Sequence, residues 1–433
     1  MKVYISGISG TGMGPLALMA KGAHVDVVGS DLARGAVYDE LAKARISVHI
    51  GEQDGEFLRS ELDGLDWFVY TSAVTEGHPE LEDAKWWKMT KNPNLKITKR
   101  DDFTAFLVER LGLKMVAVAG THGKTTTTAM IVWACLKLGL PVSYIVGTTL
   151  GFAPSGFYAE GARYFVYEAD EYDRNFLKYN PWLGVVTSVS YDHPDIYATR
   201  EEYAEAFLRF KSQCAGTIEW TDGGVQMRNM NVTRPMQNDF RLAGEVRRKD
   251  AVIAAMAVNW MMMDAGRETQ MEEIIEVINE FPGVGRRFEK LSDGVYTDYA
   301  HHPEEIAATV AVALEQAQMD GLKGVVVVYQ PHQNARQLEV REWYKDAFLG
   351  AKKVYFLPTY LVRGEKEAAR RGELVALSPE ELVSGLANRE VAEVAELSDE
   401  LYEEMMRRRD EGYLVLLLSA GPADEWLRGK LGV

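Results

Sequence analysis

The chain has 433 residues, 47% hydrophobic and 26% charged, which is enough for about two to four domains with buried cores. Lys and Arg number 48 against 64 Asp and Glu, a formal net charge of −16 that argues against a sequence-independent grip on nucleic acid or an anionic membrane. No apolar run approaches the ~20 residues of a membrane span, and the first residues read into a strand, not a signal peptide. The two cysteines, Cys135 and Cys214, supply neither a disulfide framework nor a Cys-rich zinc site, and read as buried thiols of a cytoplasmic protein.

Three blocks alternate short apolar strands with longer helix-period segments, the pattern of parallel α/β sheets. The first, Lys2 to about Leu111, has strands over Lys2–Ser6, His24–Val28 and Trp67–Thr71. Its first strand ends in Gly7-Ile-Ser-Gly-Thr-Gly-Met-Gly14, a turn suited to a diphosphate. The dinucleotide fingerprint wants glycine at 7, 9 and 12, and position 9 is Ser, so a nicotinamide enzyme and a simple strand–helix packing turn both stay open for this block. Asp31, past the second strand, stands where an acidic residue commonly meets a ribose.

The second block has strands at Lys114–Ala119, Tyr164–Glu168 and Leu183–Val189. Between the first strand and a helix lies Val118-Ala-Gly-Thr-His-Gly-Lys-Thr-Thr-Thr-Thr128. Gly120 and Gly123 let backbone N–H groups close on phosphate oxygens, Lys124 can reach the outer phosphates, and the Thr125 hydroxyl can ligate Mg²⁺. The strict phosphate-loop form wants glycine at 118, where this chain has Val. Glu168-Ala-Asp-Glu-Tyr-Asp173 and Asp192-His-Pro-Asp195 follow the other two strands, where they could reach a metal on the bound phosphates. Tyr203, Phe207 and Phe210 form a helical core stripe, and Met261–Met263 read as core packing.

The third block opens after Phe281-Pro-Gly283, with strands at Val295–Asp298, Gly324–Tyr329, Lys353–Leu357 and Tyr413–Leu418. Ile306, Val310, Leu314 and Ala317 make a helical stripe, and Ser378-Pro-Glu-Glu381 is a capping box. Gly285-Arg-Arg-Phe288, Asp298-Tyr-Ala-His-His-Pro303 and Gln330-Pro-His-Gln-Asn-Ala-Arg336 gather chemistry here. Arginine suits a carboxylate or phosphate. His301 or His302 could position an amine, the other of the pair serving only as a helix cap.

Taken together, these motifs resemble the Mur ligases, ATP-dependent amide-bond-forming enzymes of peptidoglycan assembly. The resemblance runs through the glycine loop 7–14, Gly-Ser-Asp at 29–31, Thr-Ser-Ala at 71–73, Ala-Gly-Thr-His-Gly-Lys-Thr-Thr at 119–126, Glu-Ala-Asp-Glu at 168–171, Asp-His at 192–193, Gly-Val-Gly-Arg-Arg-Phe-Glu at 283–289 and Asp-Tyr-Ala-His-His-Pro at 298–303. It implies an α/β protein of three domains: a Rossmann-like sugar-nucleotide domain over 1–111, a central P-loop ATPase-like domain over 112–283, and a Rossmann-like amino-acid domain over 284–433. Other branches carry a carbamylated lysine where Phe207 stands, which favours the alanine-adding branch or the related murein-peptide recycling ligase. The implied reaction joins L-alanine to the carboxylate of UDP-N-acetylmuramic acid. Its substrate residues would be Ser9, Gly10, Thr11, Gly12, Met13, Asp31, Ser72 and Ala73 for the nucleotide sugar, and Arg287, Tyr299, His301 and Arg336 for the amino acid. ATP would lie on Gly120, Thr121, His122, Gly123, Lys124, Thr125 and Thr126. Lys124, Glu168 and His193 would be catalytic, with Thr125, Glu168 and His193 on magnesium.

The chain departs from the family in three places. Cys214 to Gly244 is short, Val246-Arg-Arg-Lys-Asp-Ala251 replaces His-Asn-x-x-Asn-Ala, and Gln333 stands where the first of two arginines is usual. The alternatives are a murein-peptide ligase, which attaches a tripeptide to the same sugar nucleotide, and a degenerate nucleotide-binding protein without catalysis. A simple P-loop phosphotransferase would leave the first and last blocks unexplained.

Overall fold

The computed structural model describes residues 1–433 except 72–73, 194–195, 222 and 230–233. Its strands make three sheets, one for each α/β block. The first is fully parallel: β1 (Lys2–Ser6), β2 (Asp26–Asp31), β3 (Ser47–Ile50), β4 (Trp67–Tyr70) and β5 (Lys96–Lys99), in the order β3-β2-β1-β4-β5. Strand order reverses at β1, so a crevice opens past its carboxyl end, where the glycine loop lies.

The second sheet holds β6 (Lys114–Ala119), β7 (Val142–Ile145), β8 (Gly156–Phe157), β9 (Tyr164–Glu168), β10 (Leu183–Val186), β11 (Gly216–Thr221) and β12 (Gly224–Arg228). Their order is β12-β11-β10-β6-β9-β7-β8, with the edge strands β8 and β12 antiparallel. Val118 of β6 lies level with Val185 of β10 and Glu168 of β9, which brings three carboxyl ends together.

The third sheet is built from β13 (Glu289–Ser292), β14 (Val295–Asp298), β15 (Val325–Gln330), β16 (Lys353–Phe356), β17 (Ala392–Val394) and β18 (Leu414–Ser419), ordered β13-β14-β18-β15-β16-β17. Both of its faces are covered. Val327 and Leu416 belong to one core and Val326 and Leu417 to the other, as the alternation of side chains along a strand requires.

Residues Met1–Phe240 and Lys249–Pro282 form one compact unit, which contains the first two sheets. One core runs through both, from Val3 and Leu16 to Phe165, Tyr203 and Phe210. Arg241–Arg248 and Gly283–Val433 form a second unit around the third sheet.

Long apolar strands fall where the sequence places them, but β2 runs on to Asp31 and β10 stops at Val186. The strands not anticipated are short or polar, such as the Lys-Ile-Thr-Lys edge strand β5. The short stretch from Cys214 to Gly244 still carries the hairpin β11–β12. Ile306, Val310 and Ala317 are buried in helix Pro303–Met319, and Ser378 with Glu381 closes the capping box of helix Pro379–Ser384. Met263 corrects the core reading of its run: Met261 and Met262 are buried, but helical spacing turns Met263 outward, 51% exposed. Both cysteines are free and buried. Among the described residues no helix is long and apolar enough to cross a membrane.

Candidate active site

The glycine loop after β1 is fastened from the neighbouring strand end. Asp31 Oδ2 accepts the Ser9 backbone N–H at 2.8 Å, so this carboxylate holds the loop's shape. Gly10 and Thr11 are exposed, whereas the Met13 side chain belongs to the core and leaves only its backbone for a ligand. Ser9 Oγ is buried and without a hydrogen-bond partner. Ser72 and Ala73 lie outside the described residues.

The phosphate loop is tied to the chain that follows β10. Gly120 has φ +142, and a side chain there would overlap the Thr187 hydroxyl and the Ser188 backbone. Thr121 Oγ1 donates to the Ser190 carbonyl at 2.7 Å and meets the Tyr203 hydroxyl at 2.8 Å. The His122 N–H donates to Ser188 Oγ at 3.1 Å, and Thr187 donates to the His122 carbonyl. Helix Lys124–Lys137 starts from Gly123, with Thr126 in its first turn. The loop's N–H groups and the positive end of this helix suit an anion.

Lys124 Nζ donates to both carboxylate oxygens of Glu171, at 2.9 and 2.8 Å, and to the Gly120 carbonyl at 2.5 Å. Burial opposes the Lys124 charge, but the Glu171 carboxylate prevails and its pKa stands above the ordinary amine value. Burial also pushes the Glu171 carboxyl upward, against the pull of Lys124. The Thr125 hydroxyl donates to Glu168 Oε1 at 2.8 Å, and the Gly147 N–H reaches the other oxygen at 3.2 Å. His193, with a left-handed φ of 57, puts Nε2 3.7 Å from Glu171 Oε1 and stacks edge-on to Tyr172. The structure therefore joins Thr125 to Glu168 and Lys124 to Glu171, and places His193 beside Glu171. Among the described residues no three His, Cys, Asp or Glu side chains form a metal-holding group. Phe207 is buried, its ring packed against those of Phe176 and Tyr203.

In the second unit, Asp298 accepts the N–H groups of Phe288 at 2.6 Å and Ala300 at 2.7 Å; burial raises its pKa despite the nearby Arg287. These bonds brace the turn that presents Tyr299 and His301. The guanidinium groups of Arg286 and Arg287 lie 4.6 and 5.2 Å from the centre of the Tyr299 ring. His301 Nδ1 faces the Tyr299 carbonyl at 3.0 Å, and burial lowers its pKa. His302 is the cap of helix Pro303–Met319. His332 packs 6.0 Å from His301, centre to centre, and burial beside His301 and Arg336 brings its pKa down to about 4. Arg336 is partly exposed and makes no hydrogen bond or ion pair among the described residues. Gln333 precedes helix Asn334–Val340 with φ +62, its N–H bound to the Tyr360 carbonyl at 2.9 Å. This group can hold a carboxylate by guanidinium and keep a neutral imidazole near an amine.

Sequence reasoning passed over three residues. Glu171 lay inside a quoted motif, but nothing local marks it as the partner of Lys124. Asp250 is buried beside Gly123 of the phosphate loop, in the segment that departs from the family pattern. Arg100 reaches the glycine loop from the start of helix Arg100–Arg110, just after β5, a strand too short and polar to be anticipated.

Family models describe two of these regions: "Mur ligase family, catalytic domain" matches residues 2–106 and "Mur ligase middle domain" residues 118–219. The UDP-N-acetylmuramate–L-alanine ligase of Symbiobacterium thermophilum is 30% identical, covering 94% of this chain and 88% of its own. That of Kineococcus radiotolerans is 31% identical, covering 87% and 85%. Among solved structures, the UDP-N-acetylmuramate-alanine ligase of Thermotoga maritima superposes with a TM-score of 0.74 at 20% identity, over 100% of this chain and 98% of its own. A murein peptide ligase from Psychrobacter arcticus gives 0.58 at 19% identity, with the same coverage. Both structures share the fold.

Proposed function

The chain belongs to the Mur ligase family, and from that premise we propose that it joins L-alanine to the carboxylate of UDP-N-acetylmuramic acid at the expense of ATP. It is an ATP-dependent amide-bond-forming ligase of peptidoglycan precursor synthesis. The observation that carries the choice of alanine is 30% identity to an alanine ligase along 94% of the chain.

A carboxylate is a poor electrophile at neutral pH, so the γ-phosphoryl group of ATP is first transferred to it. The amine of alanine then attacks the acyl phosphate, and inorganic phosphate leaves from a tetrahedral intermediate. Positioning and charge neutralisation are what the protein contributes. Gly120–Thr126 cradle the phosphates, and Lys124 exchanges Glu171 for the outer phosphates when ATP enters. Thr125 and Glu168 offer the hard oxygen donors that Mg²⁺ takes, and with His193 they would hold it. Magnesium held there would supply charge neutralisation on the phosphates. Ser9–Met13, Asp31, Ser72 and Ala73 take the nucleotide sugar within 1–111, ATP lies within 112–283, and Arg287, Tyr299, His301 and Arg336 receive alanine within 284–433.

The test is phosphate release with ATP, Mg²⁺, UDP-N-acetylmuramate and a panel of amino acids and murein tripeptide. Release that requires both the sugar nucleotide and L-alanine is expected. Release with tripeptide but not alanine would replace the reading by peptide ligation.

A further inference from the structure

Arg286 and Arg287 stand side by side just before β13, and their surroundings differ. The Arg286 side chain is engaged by its own chain. Its Nη2 donates to the Ser419 carbonyl at 2.7 Å, and its Nε faces buried Asp424 at 3.7 Å. Asp424, in helix Ala423–Leu431, is itself fixed by the Thr297 hydroxyl at 2.7 Å and by Arg428 Nε at 2.9 Å. Arg287 is partly exposed, and its side chain makes no hydrogen bond or ion pair among the described residues.

The backbone holds Arg286 in a costly conformation. Arg286 and Phe288 have left-handed φ values of 56 and 48, which a residue with a Cβ keeps only where its surroundings fix it. Three contacts fix this turn. Glu289 accepts the Arg286 N–H at 2.7 Å, Asp298 accepts that of Phe288 at 2.6 Å, and the Arg286 carbonyl accepts the Tyr299 N–H at 2.9 Å. β14 and β18 run parallel with Asp298 level with Leu418, so Tyr299 and Ser419 come next on adjacent strands. The guanidinium binds Ser419 through its edge while its central carbon lies 4.6 Å from the centre of the Tyr299 ring. A planar guanidinium can do both at once; the ammonium of a lysine has no such face. His301 meets the same ring edge-on, at 5.4 Å and 85°. Tyr299 is partly exposed, and its hydroxyl makes no hydrogen bond among the described residues. Its ring is held and its hydroxyl is available.

We propose that Arg286 is the positioning residue that aims Tyr299 into the amino-acid pocket, fixed in turn by Ser419 and Asp424, while its neighbour Arg287 is left to meet the carboxylate. This assignment rests on the reading of Tyr299 as part of the alanine pocket. Holding the ring beforehand removes rotamer freedom that alanine would otherwise have to freeze on binding.

The experiment measures KM for L-alanine, ATP and UDP-N-acetylmuramate by phosphate release in the parent, Arg286→Met, Tyr299→Leu and the double variant, with melting temperatures alongside. A cation over a tyrosine ring is worth about twofold to thirtyfold in an equilibrium. Arg286→Met should raise the alanine KM by about fivefold or more and leave the other two near the parent values. In the Tyr299→Leu background it should add nothing to the alanine KM, as expected of a residue that acts through the ring. If Arg286→Met does not fold, Asp424→Asn tests the same point, because it keeps an oxygen for Thr297 and removes the anion facing Arg286; it should raise the alanine KM selectively. An unchanged alanine KM in a folded variant, equal rises for all three substrates, or a full further rise in the Tyr299→Leu background would overturn the assignment. A Tyr299→Leu protein with the parent's alanine KM, or a parent with no alanine-dependent turnover, would instead remove the pocket reading on which it rests.

Discussion

At the scale of single residues, the pair Lys124–Glu171 links stability to function. The side chains are 16% and 1% exposed, and removing one partner of a buried pair costs about 3–5 kcal/mol. Lys124→Ala should therefore abolish turnover and also lower the melting temperature. With the amine gone, burial keeps the Glu171 carboxyl above its unfolded value. The folded state then binds a proton at a pH where the unfolded chain does not, so the stability deficit should shrink as pH falls from 7 towards 5. Adding Glu171→Gln should restore the melting temperature but not turnover. A Lys124→Ala protein that melts like the parent at every pH would show that the pair contributes nothing to stability. His332 gives the opposite sign to the same test. Held down to about 4 by burial, it stays neutral in the folded state while the unfolded imidazole takes up a proton below its ordinary value. The parent should lose stability from this group between pH 7 and 5, and His332→Gln should lose less. Parallel melting curves for the two proteins across that range would refute the shift.

At the scale of elements, the phosphate loop depends on three strand ends being adjacent. β6 supplies the loop, β9 ends in Glu168, and the chain after β10 clasps the loop through Thr187, Ser188 and Ser190. Gly120→Ala should weaken ATP by about tenfold or more, the scale of a lost charge-assisted hydrogen bond, because the new side chain meets the Ser188 backbone and displaces the loop. UDP binding should be unaffected, since the glycine loop belongs to another sheet. Unchanged ATP affinity in titration calorimetry would mean that the clasp yields without moving the phosphates. The loop–helix signature was legible because its residues are contiguous. The clasp was not, because Thr187 and Ser190 acquire a role only when β10 lies beside β6.

At the scale of the whole molecule, the first two sheets share one core, whereas the third has cores of its own. Helix Gly14–Gly22 packs on β7 and β8, and Ser155 N–H donates to Glu40 at 2.7 Å. An isolated fragment of residues 1–111 should therefore melt below the full chain, because it bares the part of the core that Phe165 and Tyr167 cover. Scanning calorimetry of the fragment checks this, and a fragment as stable as the parent would show that the shared core is dispensable.

What the sequence determined by itself is local or contiguous: the apolar strands, the capping box at Ser378, the two glycine loops and the Asp-Tyr-Ala-His-His-Pro turn. Periodicity and backbone demands act over a few residues and can be read there. Short polar strands such as β3 and β5 escaped that reading, because pairing with a neighbour, more than their own composition, makes them strands. Partnership was decided by the tertiary structure alone: Glu171 for Lys124, Asp31 for the Ser9 amide, His302 as cap and His301 against the Tyr299 carbonyl, Arg100 against Gly12. Each of these joins atoms whose distance depends on sheet order, and a charge or hydrogen bond acts over a few ångströms of space, whatever the separation along the chain.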